Sequence, residues 1–234
     1  MSLGADLNTL LQLTLKIAEK LPITLTILVL SSGFGVLLGL IIAMIRIQKR
    51  PLPYAIATFY LSFMRCTPTL VQLFLIFYGL PQLLMLFHID VNDWNKVIFA
   101  VIAFSLHSAA FLSEVFRAAY LAVGRGQQEA AYSVGMSYFQ SLRRIILPQA
   151  FGIAVPNLGN NLIILLKETS LAFSIGITDI MGQANIILGN NYGANILVVY
   201  LIISLMYWII SIAIEQGTDR YEKHLRKGYI GFAK

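Results

Sequence analysis

The chain has 234 residues, 58% of them hydrophobic and 12% charged, with a net charge of +6 and a mean hydropathy of +0.76. A soluble domain carries about a quarter charged residues and could not hide this much apolar surface, which excludes an ordinary cytosolic enzyme, a disordered chain and a disulfide-stapled secreted domain. One cysteine, Cys66, permits no internal disulfide, and His88, His107 and His224 are scattered without ligand spacing, so no metal site is expected.

Residues 1–22 mix Leu10, Leu11, Leu15 and Ile17 with Asp6, Lys16, Glu19 and Lys20, the pattern of an amphipathic lead-in. Five apolar spans follow, at about 23–45, 60–83, 97–120, 145–167 and 194–215, each long enough to cross a hydrocarbon core of about 30 Å. The first is longer than the roughly 7–15 apolar residues of a signal peptide and has no small-residue cleavage site behind it, so it reads as a true membrane helix. Its Ser31, Gly35 and Gly39 form a small-residue stripe suited to close helix packing. The second span is interrupted by Pro68 and Pro81. The fourth is interrupted by Pro148 and Pro156, and it also carries Asn157, Asn160 and Asn161. Such kinks and amides suit helices lining a polar path, although amides also serve as interhelical glue. Gly189, Asn190, Asn191 and Gly193 read as a loop before the fifth span.

The basic residues fall in three groups. Arg46, Lys49 and Arg50 follow the first span; Arg117, Arg125, Arg143 and Arg144 separate the third from the fourth; Arg220, Lys223, Arg226 and Lys227 follow the fifth. Five alternating crossings put all three groups on one side, leaving Lys96 and Lys167 on the other. The positive-inside rule makes the basic side cytoplasmic, with the N-terminus outside and the C-terminal tail, 217–234, inside. The net charge therefore concerns topology and implies no nucleic-acid partner.

The loop 124–144 contains Gly126-Gln-Gln-Glu129-Ala130-Ala131-Tyr-Ser-Val-Gly135 and leads to Ile145-Ile-Leu147-Pro148. Residues 129–134 suit a short helix that Gly135 ends, with small Ala130 and Ala131 allowing another surface to approach closely. These residues resemble the EAA loop of ABC importer permeases. Arg65-Cys-Thr-Pro-Thr-Leu-Val-Gln72, Ser113-Glu114-Val-Phe-Arg117, Leu147-Pro-Gln-Ala150 and Lys167-Glu-Thr-Ser-Leu171 also resemble motifs of the polar amino-acid subfamily, and the likeness runs from about Thr24 to the C-terminal tail. Cys66 departs from the glycine of the family's Arg-Gly-Thr-Pro pattern, which weakens any substrate inference drawn from that motif.

The resemblance implies an all-α integral membrane protein of the type I ABC importer permease fold, multi-pass in a bacterial cell membrane. It also implies a second permease subunit (a homodimer or a heterodimer), two ATP-binding subunits, and an extracellular or periplasmic substrate-binding protein that delivers an amino acid. Gln128, Glu129, Ala130, Ala131 and Gly135 would then form the coupling surface toward the ATPase. The sequence has no Gly-x-x-x-x-Gly-Lys-Ser/Thr phosphate loop. ATP and Mg are therefore expected on the partner subunit, with no cofactor or catalytic residue on this chain. The segment 170–182 looks most similar to cystine-type members, with histidine, glutamine, glutamate and basic amino acids left open.

Arg65, Thr67, Gln72, Asn157, Asn160 and Asn161 are the candidates for the substrate pathway, because an amino acid needs charged or amide partners inside the membrane. Lys167, Glu168 and Thr169 are candidates for a gate or for the binding-protein seat. Glu114 and Arg117, three apart, are expected to pair with each other, and Arg65 to snorkel or meet an acidic neighbour. His107 reads as a packing histidine more readily than as a proton relay. A secondary transporter or channel without an ATPase is the competing reading, but it leaves the EAA-like loop unexplained. A membrane enzyme lacks any nucleophile–base or paired-carboxylate constellation.

Overall fold

The computed structural model describes residues 7–193 and 195–229, with side chains given as far as residue 225. Asp6, residue 194 at the edge of the expected fifth span, and the side chains of Arg226 and Lys227 lie outside the described residues. The described residues are helical throughout, joined by short turns, with no strand among them. Helix α1 (Leu7–Ala18) leads almost directly into α2 (Leu21–Gln48), which ends at Lys49 in a left-handed conformation. Pro51 then opens α3 (Pro51–Cys66), where its missing N–H costs nothing.

Pro68 stops α3, and the next helix, α4 (Thr69–Met85), leaves at 115° to it. Helix α5 (Lys96–Ala122) starts where the Asn95 side chain accepts from the Val97 N–H at 2.9 Å. A short α6 (Arg125–Ser133) precedes the long α7 (Tyr138–Ile175), which a Ser137–Gln140 capping box opens. Asp179 caps α8 (Ile180–Asn190), and α9 (Ile196–Tyr229) completes the described chain. Two helices hold a π turn, Leu75–Gly79 and Leu142–Ile146, each placed just before a proline, Pro81 and Pro148. A proline ring collides with the carbonyl four residues back, and widening that turn relieves the collision without breaking the helix.

The register between helices fixes the path of the chain. Gly35 lies against Ser108, Gly39 against Leu112, and Arg46 pairs with Glu114, so α2 and α5 run parallel. Parallel neighbours require the intervening residues to return the chain to its starting side, so the bent pair α3–α4 is a crossing. Val123 at the end of α5 shares a cluster with Ile146 near the start of α7, while His107 meets Glu168 near α7's end. These two helices are therefore antiparallel. Gly159 meets Thr218, and Leu165 and Leu166 share a core cluster with Tyr207 and Ile210, which makes α9 antiparallel to α7. Five crossings result. Buried Leu13 and Ile17 fasten α1 to α8 and α9 at the end where α2 begins.

Candidate functional site

The break between α3 and α4 leaves a defined hydrogen-bond problem. The Met64 carbonyl would take the N–H of the residue four places on, but that residue is Pro68, which has none. An unpaired carbonyl in lipid costs several kcal/mol, so a substitute donor is required. Gln72 supplies it. Its buried amide Nε2 donates to Met64 O at 2.7 Å and to Thr67 O at 2.9 Å, while the Thr67 hydroxyl donates to Phe63 O at 2.8 Å.

Gln72 Oε1 then accepts from His107 Nδ1 at 2.9 Å, and His107 Nε2 lies 3.1 Å from Glu168 Oε1. The Thr69 hydroxyl donates to the same Glu168 oxygen at 3.0 Å, while the other, Oε2, is buried with no hydrogen-bond partner. The next residue of α5, Ser108, donates to Asn161 Oδ1 at 2.7 Å. A chain of polar groups therefore runs from the break in the second crossing, through α5, to the end of α7, inside an otherwise apolar bundle. It presents carbonyls, amides, an imidazole and a carboxylate, a set able to handle a small zwitterion and containing no nucleophile–base constellation.

A second charged group lies nearer the other end of α5. Glu114 pairs with Arg46 of α2 and accepts from Arg117 Nη2 at 2.9 Å. Arg65, half exposed, reaches within 3.9 Å of Glu114 and lies 5.9 Å over the Phe111 ring. Three guanidinium groups around one carboxylate tie the ends of α2, α3 and α5 together and leave Arg65 the most accessible. At the opposite end Asp179 Oδ1 accepts from the Gly182 N–H at 2.8 Å, and Ile180 N donates to the Thr24 hydroxyl at 3.3 Å. Burial pushes the Asp179 carboxyl up to about 6.

The nine residues of α6 stand clear of the bundle between two left-handed glycines, Gly124 and Gly135, whose φ angles are 73° and 80°. Only Ala131 is buried on it, while Glu129, Ala130 and Tyr132 are exposed and Val134, Tyr138 and Phe139 add apolar surface beside them. The knob is nonetheless tied to the bundle, since Gln149 of α7 donates to Gln127 Oε1 at 3.4 Å, while Met136 N donates to Ala131 O at 3.1 Å and closes the end of α6.

The family described as binding-protein-dependent transport system inner membrane component matches residues 35–227. The chain belongs to this family. It is 42% identical over 223 residues to the L-cystine transport system permease protein TcyL of Bacillus subtilis (strain 168), covering 95% of this chain and 92% of the relative. It is 43% identical over 169 residues to the arginine transport system permease protein ArtQ of the same organism, 72% of this chain and 74% of that one. Among solved structures, an amino acid ABC transporter crystallised with histidines superposes with a TM-score of 0.81 at 32% identity, over 95% of this chain and 100% of that one. A MetNI methionine transporter chain, at 18% identity and a TM-score of 0.70, shares the fold over 89% of this chain and 95% of its own.

The chain is thus a membrane-embedded permease subunit with the type I importer fold, and its relatives are permeases rather than ATPases. Of the pathway candidates, Thr67 and Gln72 meet at the break, Asn161 joins the same interior through Ser108, and Arg65 sits at the charged cluster below. Asn157 and Asn160 instead face outward from α7, exposed on the single permease chain. Glu168 turns inward to His107 and Thr69, Lys167 is exposed, and the Thr169 hydroxyl is buried on Leu166 O at 2.7 Å. Thr69 was not among the sequence candidates, whereas His107, expected as a packing histidine, is buried between Gln72 and Glu168.

Proposed function

We propose that this permease forms the translocation pathway of an ATP-driven importer for L-cystine or another polar amino acid. In that reading a separate ATPase engages α6 and a binding protein delivers substrate from outside. A second permease subunit, identical or a sister chain, completes the path, because five crossings enclose too little to make one alone. The observation that carries the reading is α6: an exposed helix, set off by two left-handed glycines and tied to α7, offering Gln128, Glu129, Ala130 and Gly135 outward. Such a knob suits a groove on a moving partner. ATP-driven closure of two ATPase subunits would displace two such knobs and rock the attached crossings between outward- and inward-open states.

Substrate handling falls to the break. Glu168 Oε2 is an acceptor without a partner, suited to an α-ammonium, while exposed Arg65 and Lys167 are the cations available for a carboxylate. The cystine-type relative and the histidine-bearing structure support an amino acid as cargo.

The test is to co-express the chain with its ATPase, purify the complex and measure ATP-dependent uptake of labelled L-cystine, with L-histidine, L-arginine and L-glutamine in parallel. Glu129→Lys should leave the chain in the membrane yet lose ATPase association or lower uptake by about tenfold or more, the cost of burying an unmatched charge in a docked interface. Full ATP-dependent uptake by that variant would overturn the coupling role of α6. Uptake without any ATPase would favour a secondary transporter.

A further inference from the structure

The polar chain across the break contains one proton more than its hydrogen-bond partners can account for by themselves. Gln72 Nε2 has two hydrogens, shared among Met64 O, Thr67 O and the Thr67 hydroxyl oxygen, so the amide nitrogen faces these acceptors and Oε1, which can only accept, faces His107. His107 Nδ1 therefore carries a hydrogen, and a neutral ring in that tautomer offers a bare lone pair at Nε2. Glu168 Oε1 lies 3.1 Å from that nitrogen. A lone pair against a carboxylate oxygen at that distance is repulsive, so a proton sits between them, held by the imidazolium or by the carboxylic acid, and the pair is neutral overall in both cases. The Thr69 hydroxyl already donates to Oε1 and Oε2 receives nothing, so no other donor in the chain replaces that proton.

Resting on the importer reading, we propose that His107 is a positioning residue: the proton it shares with Glu168 holds Gln72 across the α3–α4 break, and passage through the break depends on that proton. When the proton leaves, Glu168 and Nε2 repel, the ring turns, and Gln72 Oε1 loses its donor. Gln72 is then free to release the Met64 carbonyl, and the joint between the two halves of the second crossing loosens.

The surrounding groups leave the pair in control. Helix α4 contributes Thr69 and Gln72, neither ionisable, and α2 has no charged residue between Lys20 and Arg46. Helix α3 contributes Arg65, which stacks on the Phe111 ring rather than on His107; that ring lies 4.9 Å from the imidazole. Two turns along α5, Glu114 is occupied by Arg46 and Arg117. Helix α7 contributes Glu168 itself, with exposed Lys167 beside it.

The test uses the permease–ATPase complex in proteoliposomes, with binding protein and labelled L-cystine, L-histidine, L-arginine or L-glutamine, across mildly acidic to alkaline pH. His107→Asn keeps a donor for Gln72 but cannot share a proton; His107→Gln reaches Glu168 but abandons Gln72. The wild type should lose uptake on the alkaline side. His107→Asn should keep uptake within about threefold at neutral pH and lose that alkaline limb, whereas His107→Gln should fall by about tenfold at every pH, the worth of one lost buried hydrogen bond. A limb due to the ATPase, the binding protein or the amino acid persists in His107→Asn, so an unchanged alkaline limb there overturns the proposal, as does His107→Gln transporting as well as His107→Asn. Co-purification with the ATPase reports assembly. Should His107→Gln fail to assemble, the wild-type and His107→Asn pH profiles decide alone. A wild-type complex that takes up none of the four amino acids at any pH overturns the importer reading itself, a result distinct from normal uptake with indifferent variants.

Discussion

Gln72 stands in for a backbone N–H that Pro68 removes, and its two amide ends serve two different helices. Gln72→Leu keeps the volume and removes both ends, leaving Met64 O and His107 Nδ1–H unpaired in the bundle. The expected cost is on the order of 2 kcal/mol, seen as a midpoint lowered by about 5 °C in thermal unfolding of the detergent-solubilised chain. An unchanged midpoint would mean that water or lipid headgroups reach the break. Gln72 stood out in the sequence as an amide in an apolar span and was expected on the substrate pathway; its seal over the Met64 carbonyl, left open by Pro68, comes from the structure. The tie from His107 to Glu168 was not legible in the sequence, because it joins residues far apart in the chain and only the packing of α5 on α7 brings them together. Asp179 makes a prediction of a different kind. Burial holds its carboxyl at about 6, above the ordinary value of about 3.9. Between those values the unfolded chain has released the proton and the folded chain keeps it. Stability therefore falls as pH rises from about 4 to about 6, by on the order of 3 kcal/mol, and is level above. Asp179→Asn retains the cap on Gly182 and has nothing to titrate, so its unfolding midpoint should be flat across that window. Equal pH slopes for the two proteins would show that Asp179 is ionised in the fold.

Helix contacts repeat the same lesson with different clarity. The stripe Ser31, Gly35 and Gly39 was readable as a packing face, and all three residues are buried on α2. A Cβ on Gly39 would stand 3.1 Å from Leu112 Cβ and 3.3 Å from the Ala109 carbonyl oxygen, while one on Gly33 would meet nothing within 4 Å. Gly39→Val should therefore push α2 off α5 and cost about 1–3 kcal/mol, whereas Gly33→Ala on the same helix should be neutral or gain up to about 1 kcal/mol from helix propensity. Detergent unfolding midpoints of the two variants compare them directly, and equal effects would place the α2–α5 contact elsewhere. The prolines were equally visible, but not what each one does. Pro81 and Pro148 are absorbed by π turns, so their helices continue, while Pro68 ends its helix and the chain turns by 115°. The difference lies in what surrounds each proline. Thr67 is extended and Gln72 seals the gap at Pro68, whereas the turns before Pro81 and Pro148 can widen within an unbroken helix.

At the scale of the whole molecule, the bent pair α3–α4 decides the topology. If it dipped in and out on one side, four helices would cross. Arg46 and Lys49 would then lie opposite Arg125, Arg143 and Arg144, and α2 would run against α5. The register Gly35–Ser108, Gly39–Leu112 and Arg46–Glu114 is parallel instead, and five crossings gather the basic loops at one end. Charge and packing, two unrelated observations, thus require the same path. The sign of the path is a prediction from charge alone: the positive-inside rule puts the basic end in the cytoplasm, with α6 where an ATPase can reach it and residues 86–95 outside. A cysteine-free background, Cys66→Ser, makes this measurable. Asn92→Cys, in the exposed turn before α5, should react with a membrane-impermeant maleimide in intact cells or spheroplasts. Gly126→Cys, where a side chain meets nothing within 4 Å, should react only after permeabilisation. The reverse pattern would mean that the protein is inverted or that α3–α4 dips in and out on one side, and either outcome detaches α6 from any cytoplasmic ATPase. Labelling of both from one side would mean that α5, the single crossing between the two sites, does not span the membrane.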